Sequence, residues 1–115
     1  MQDNELNKLV AKTIYGRHTL VKDIVDTSGE IIVQRLGYAP VIIDWVNDTA
    51  LHFQLAIDNG ISILLDCSDG QVIATSNSYK VIHGQEPDDY FLVSNTHAGR
   101  AIVQCFLLMK GVEIK

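Results

Sequence analysis

The side chains able to do acid–base or metal chemistry are four histidines, His18, His52, His83 and His97, two cysteines, Cys67 and Cys105, and a run of carboxylates at Glu86, Asp88 and Asp89. A metal site in a β-rich protein is usually written as histidine pairs at short spacing, His-x-His or His-x-x-x-His. None of these histidines is spaced that way, and His52, alternating with apolar neighbours, is expected on the outer face of a strand. An acid and a base would have to be drawn from His83, His97, Asp88 and Asp89, converging from distant segments. Glu86-Pro87-Asp88-Asp89 reads more simply as a solvated acidic turn. Asp66-Cys67-Ser68-Asp69-Gly70 lacks the spacing of a helix-flanked calcium loop, and hairpin chemistry accounts for all of it. No serine or cysteine sits in a Gly-x-Ser-x-Gly elbow, and no glycine-rich loop opens a helix after a strand. The expectation is a protein that is not an enzyme, with no catalytic residues, no metal and no cofactor.

Cys67 and Cys105 have neither metal nor redox spacing and read as reduced, buried core residues. Both fall on apolar phases, so a disulfide across the core stays open at this level. Trp45, the one tryptophan, shares a face with Val41 and Ile43 and reads as a core or interface anchor rather than a sugar-stacking platform. Asn47-Asp48-Thr49 is formally a glycosylation sequon, which carries no weight without a secretion signal.

The elements that must position these residues are bounded by composition. The chain has 115 residues, 47% hydrophobic and 20% charged, with two prolines. That is the profile of one folded domain, which buries roughly 65% of the surface its unfolded chain exposes. The mean hydropathy of +0.12 is high for a small domain and suggests that a partner covers some apolar surface. A net charge of −5 with scattered Lys and Arg argues against nucleic acid. The start, Met1-Gln2-Asp3-Asn4-Glu5, is the opposite of a secretion signal, so cytoplasmic synthesis is expected. The longest apolar run, Ala101 to Met109, contains Gln104 and falls well short of the roughly 20 residues of a membrane span.

Leu6, Leu9, Val10, Thr13 and Ile14 recur at helical spacing, so residues 1–16 are expected to form a short helix or arm, capped near Asp3 or Asn4 and stopped by Gly16. From Thr19 onward the period reads as two. Leu51, Phe53, Leu55 and Ile57 alternate with His52, Gln54, Ala56 and Asp58, Asp58-Asn59-Gly60 reads as a hairpin turn, and Ser68-Asp69-Gly70 reads as another. Further strands are expected at residues 20–25, 30–36, 41–46, 79–83, 90–94 and 100–109, joined by turns that include Thr27-Ser28-Gly29 and Ala39-Pro40. Gly29-Glu30 before an apolar segment, Pro40 shortly before Trp45, and Asp89-Tyr90 leading to Gly99 resemble the pattern of an immunoglobulin-like sandwich, although Ile32 and Leu92 stand near the places of its usual cysteines. The resemblance implies fold class only.

The expected architecture is therefore mainly β, an antiparallel β-sandwich, Ig-like or jelly-roll-like, over residues 17–115 behind the N-terminal helix or arm. The expected role is a non-enzymatic structural or interaction subunit, a homo-oligomer or a component of a larger assembly such as a virion, fibre or secretion particle. Its interface would use Leu6, Leu9, Val10, Ile14 and Trp45. The alternative is a small-ligand or glycan-binding module with a cleft near Asn47, residues 86–89 and residues 95–99; a small hydrolase is the third reading.

Overall fold

The computed structural model describes residues 1–16, 19–23, 29–66, 69–86 and 88–114. In chain order these form α1 (Asp3–Tyr15), β1 (Leu20–Asp23), β2 (Ile31–Gln34), β3 (Val41–Ile43), α2 (Thr49–Asn59), β4 (Ser62–Asp66), β5 (Gln71–Thr75), α3 (Ser78–Ile82), β6 (Leu92–Asn95) and α4 (Ala98–Met109). The strands make two antiparallel three-stranded sheets, β1-β2-β3 and β4-β5-β6. This α+β arrangement overturns the expected β-sandwich, and the immunoglobulin-like resemblance goes with it. Nothing in this α+β arrangement supports a virion, fibre or secretion-particle role.

α1 packs on α4 and on the first sheet, while α4 packs on α1, α2, β5 and β6. α4 is thus the hub: Ala101, Ile102, Val103, Cys105, Phe106 and Leu107 are all buried. Its partners lie on several sides, which leaves only a narrow, partly exposed stripe of Arg100, Gln104 and Leu108 at i, i+4, i+8. The segment was expected to be a two-faced buried strand, and a continuous apolar run has no period to tell the two apart. Length separates them, since buried strands run to about eight residues and helices exceed about ten.

The expected strand at residues 51–57 is also helical. Asp48 caps α2 by accepting from the Leu51 N–H at 3.3 Å, and Gly60 closes it in the left-handed conformation, φ 67° and ψ 32°. Asp58-Asn59-Gly60 is therefore a helix end and not a hairpin. The buried positions are His52, Leu55 and Ala56, spaced i, i+3, i+4. Counting His52 as a surface residue hides that stripe and leaves only the alternation of Leu51, Phe53, Leu55 and Ile57. The expected strand at residues 79–83 is the single turn α3, whose first N–H groups are capped by Asn77.

Other elements match the periodicity. The β4–β5 hairpin turns at Asp69-Gly70, Ser68 lying outside the described residues, and pairs Asp66 with Gln71 through Ser62 with Thr75. β1 begins where expected, at Leu20; Ile24 and Val25, like the Thr27-Ser28 turn, lie outside the described residues. In the first sheet Ile31, Val33 and Ile43 face the core, while Ile42 on the opposite face is exposed. α1 is docked rather than a free arm, with Leu6, Val10 and Ala11 buried and Gly16 donating to the Lys12 carbonyl at 2.9 Å. Its buried stripe is rotated toward Asn7, away from Ile14.

Candidate interaction surface

The polar groups buried between the elements hold the fold together. Asn7 is fully buried, and its Nδ2 donates to the Gly29 carbonyl at 2.6 Å and to Asp44 Oδ1 at 2.8 Å, while its Oδ1 accepts from the Val46 N–H at 3.2 Å. One amide therefore pins α1 to the segments flanking β2 and β3. Asp44 accepts from the Asn47 backbone at 3.1 Å and from Asn47 Nδ2 at 2.9 Å. Asn47 Nδ2 also donates to Asp3, which pairs with Arg100 at the start of α4. Arg100 donates in turn to the Met1 carbonyl at 2.7 Å. Every described buried side-chain polar atom has a partner. The network joins α1 and α4 to the segments flanking β2 and β3.

His52 belongs to the same joint. It is buried, contrary to its expected place on an outer strand face, and its Nδ1 lies 3.1 Å from the Trp45 carbonyl, which can only accept. That contact fixes the ring with the proton on Nδ1. Gly99 lies against it: a Cβ there would overlap the Val46 carbonyl and stand 2.8 Å from His52 Nδ1. The absent side chain lets α4 close on the turn after β3.

The other candidates for chemistry are dispersed. His97 caps α4, its Nδ1 accepting from the Arg100 N–H at 3.2 Å, and His83 is exposed with its ring 4.2 Å from that of Tyr79. Asp88 and Asp89 are exposed, and Asp89 pairs with Lys80 at 3.1 Å. Among the described residues no group of three or more His, Cys, Asp or Glu could hold a metal ion. Cys105 is a free, buried thiol; Cys67, His18 and Pro87 lie outside the described residues. Burial pushes the Cys105 thiol up to about 11. None of the described helices is long and apolar enough to cross a membrane.

The expected interface residues divide in two. Leu6, Val10 and Trp45 are buried in the chain's own core and Leu9 is packed against it, whereas Ile14 is 44% exposed. Ile14 lines a cavity of about 360 Å³ with Leu55, Asp58, Asn59, Phe106 and Lys110, where the C-terminal ends of α1, α2 and α4 meet. The outer face of α2 continues the apolar surface. Its exposed residues are Thr49, Ala50, Phe53, Gln54, Ile57 and Asp58, so Asp58 brings the only charge. Phe53 is 41% and Ile57 73% exposed. A surface helix normally turns a charged face to water. Here the inner residues Leu55 and Ala56 serve the core, and Phe53 with Ile57 form a second apolar stripe at i, i+4. The signal for this face is the run Thr49–Asn59 itself, which has one charged residue, but it is visible only once the segment is known to be a helix.

No protein-family model, curated protein or solved structure matches this chain.

Proposed function

We propose that this protein is a non-enzymatic interaction subunit that self-associates, two copies pairing across the outward face of α2. The observation that carries the reading is a surface helix that is apolar on both sides, with Phe53 and Ile57 in water and Asp58 as the sole charge on that face. Contiguous exposed apolar surface on a small domain marks a place where something binds.

A second copy is the occupant because of charge. Each chain carries −5, so copies repel over most of their surfaces. The face with the fewest charges is where they approach at the least electrostatic cost. In a two-fold interface every residue acts twice, and two residues such as Phe53 and Ile57 supply four apolar contacts.

Light scattering across a concentration series tests this. The wild-type chain is expected to reach the mass of a dimer, and Ile57→Glu, a change on an exposed position, to remain a monomer with an unaltered far-ultraviolet circular dichroism spectrum. A monomer at every concentration, or a dimer indifferent both to Ile57→Glu and to Phe53→Asp, overturns the proposal.

A further inference from the structure

Asn59-Gly60 is the one Asn-Gly dipeptide in the chain, and it stands at the end of α2. In such a pair the carboxamide is open to attack by the next backbone nitrogen, because glycine puts no Cβ in the way. Asn59 is half-buried and Gly60 exposed, with open space beside the Gly60 Cα, so water reaches both residues. What separates the reacting atoms is the way the helix ends.

That end is a Schellman motif. Ile61 N–H donates to the Ala56 carbonyl at 2.9 Å and Gly60 N–H to the Ile57 carbonyl at 3.5 Å, with Gly60 in the left-handed conformation. Ile61 is buried, so the strap that closes the helix is anchored in the core. The Asn59 carboxamide is drawn back along the helix, its Nδ2 donating to the Leu55 carbonyl at 2.8 Å. Closing a ring between Gly60 N and Asn59 Cγ requires the Asn59 ψ to leave the helical value of roughly −40°. It also requires the carboxamide to let go of Leu55 and the Gly60 N–H to let go of Ile57. Each of these is a contact of the closed helix end.

We infer that Asn59 is a deamidation site, held closed by the end of α2 and opened when that last turn unfolds locally. In the open form Gly60 N gives its proton to a solvent base and bonds to Asn59 Cγ; the Cγ–Nδ2 bond breaks, and Nδ2 takes a proton from water and leaves as ammonia. Water then opens the resulting succinimide at either carbonyl, giving an aspartyl or an isoaspartyl linkage. No electrons are transferred, and water is the only co-reactant. Neither product can close the helix end as before. Both lack the Nδ2 donor to Leu55 and set a carboxylate beside Asp58 at a helix C-terminus, where the dipole disfavours negative charge. The isoaspartyl form also routes the main chain through Cβ, which shifts Ile61 out of register with Ala56. The modification thus records, irreversibly, that α2 has opened. Asn59 does not belong to the outward face of α2, and a change in covalent mass is read whether or not copies pair.

The experiment incubates the full chain in mildly alkaline buffer, folded in one series and unfolded in guanidinium chloride in the other. Tandem mass spectrometry follows and locates the exchange of a carboxamide for a carboxyl group. The unfolded chain is expected to change first at Asn59, and the folded chain to do so about tenfold or more slowly, in proportion to the population of open helix ends. Ile61→Ala removes the core anchor and is expected to speed the reaction in the folded chain while leaving the unfolded rate unchanged. Should that variant not fold, amide hydrogen exchange at Gly60 and Ile61 of the wild-type chain takes its place: exchange and deamidation are expected to rise together as denaturant is added below the unfolding midpoint. The isolated product is expected to unfold at a lower denaturant concentration than the unmodified chain. Equal rates in the folded and unfolded chains, a first change at another asparagine, an Ile61→Ala rate no faster than wild type, exchange that rises without deamidation, or a product as stable as the unmodified chain overturns the inference.

Discussion

At the scale of single residues, the fold depends on positions whose importance lies in what surrounds them. Gly99 is the sharpest case, because the Val46 carbonyl occupies the space a Cβ would need and His52 blocks the way out. Gly99→Ala must push α4 away from the turn after β3 and disturb the His52–Trp45 contact with it. Urea denaturation should show a loss of about 3 kcal/mol, the upper end of what overpacking costs. A loss within the range of ordinary surface substitutions would mean that α4 can shift freely. Cys105 makes a different prediction. Its thiol is buried on α4 and raised to about 11 in the folded chain, so the folded state keeps a proton that the unfolded chain releases at lower pH. The raised value contributes stability in full below the ordinary thiol range, and that contribution is lost as pH rises toward about 11. Denaturation midpoints followed from neutral to strongly alkaline pH should fall more steeply for the wild-type chain than for Cys105→Ala. Parallel slopes would show that the thiol does not contribute. Taking the difference between the two chains isolates the contribution of the thiol.

At the scale of elements, α2 and α4 show how a helix can be written in residues that scan as a strand. In α2 the alternation of Leu51, Phe53, Leu55 and Ile57 is real, but the structure uses only Leu55 of that set in the core proper, alongside His52 and Ala56. The punctuation of the helix was present in the sequence: Asp48 as a cap and Gly60 as a stop, twelve positions apart and hence a helical length. Asn59-Gly60 serves a hairpin equally well, because both structures need a residue at positive φ. α4 was hidden differently. Contacts on several sides narrow the polar stripe to Arg100 and Gln104, too few residues to stand out as a period of 3.6, and His97 is an uncommon N-cap. The hairpin at Asp69-Gly70 and the stripe of α1 were legible because each is decided locally. One follows from turn conformation and the other from a helix with a single core-facing side.

At the scale of the whole molecule, the chain is elongated, 47 × 26 × 25 Å, with a radius of gyration of 14.7 Å against the roughly 13 Å of a compact domain of this size. An elongated shape leaves more surface for the same core, and here a good part of it is apolar: Leu36, Ile42, Phe53, Ile57, Tyr79 and Ile82 are all exposed. The high mean hydropathy thus has a physical counterpart in residues that the monomer does not bury. The proposed self-association across α2 carries a salt dependence that follows from net charge. Because two chains of −5 repel and their contact face is nearly uncharged, raising ionic strength screens the repulsion without weakening the contact. The dimer fraction at fixed concentration should rise from low to moderate salt; a fall would mean that ion pairs hold the copies together, and the interface would have to lie elsewhere.

The sequence by itself determined the N-terminal helix, the β2 segment, the Asp69-Gly70 hairpin, the acidic character of the chain and its surplus of apolar residues, each a matter of local conformation or of composition. Tertiary structure alone decided that residues 49–59 and 98–109 are helices, that Asn7 and His52 are inside, and that Arg35 lies over the rings of Tyr15 and Tyr38. Those outcomes depend on partners far away in the chain. Asn7 can be buried only because Gly29, Asp44 and Val46 arrive to satisfy its amide, and a polar residue in a sequence does not announce whether such partners will come. The exposed stripe on α2 depends in the same way on what the rest of the fold left uncovered.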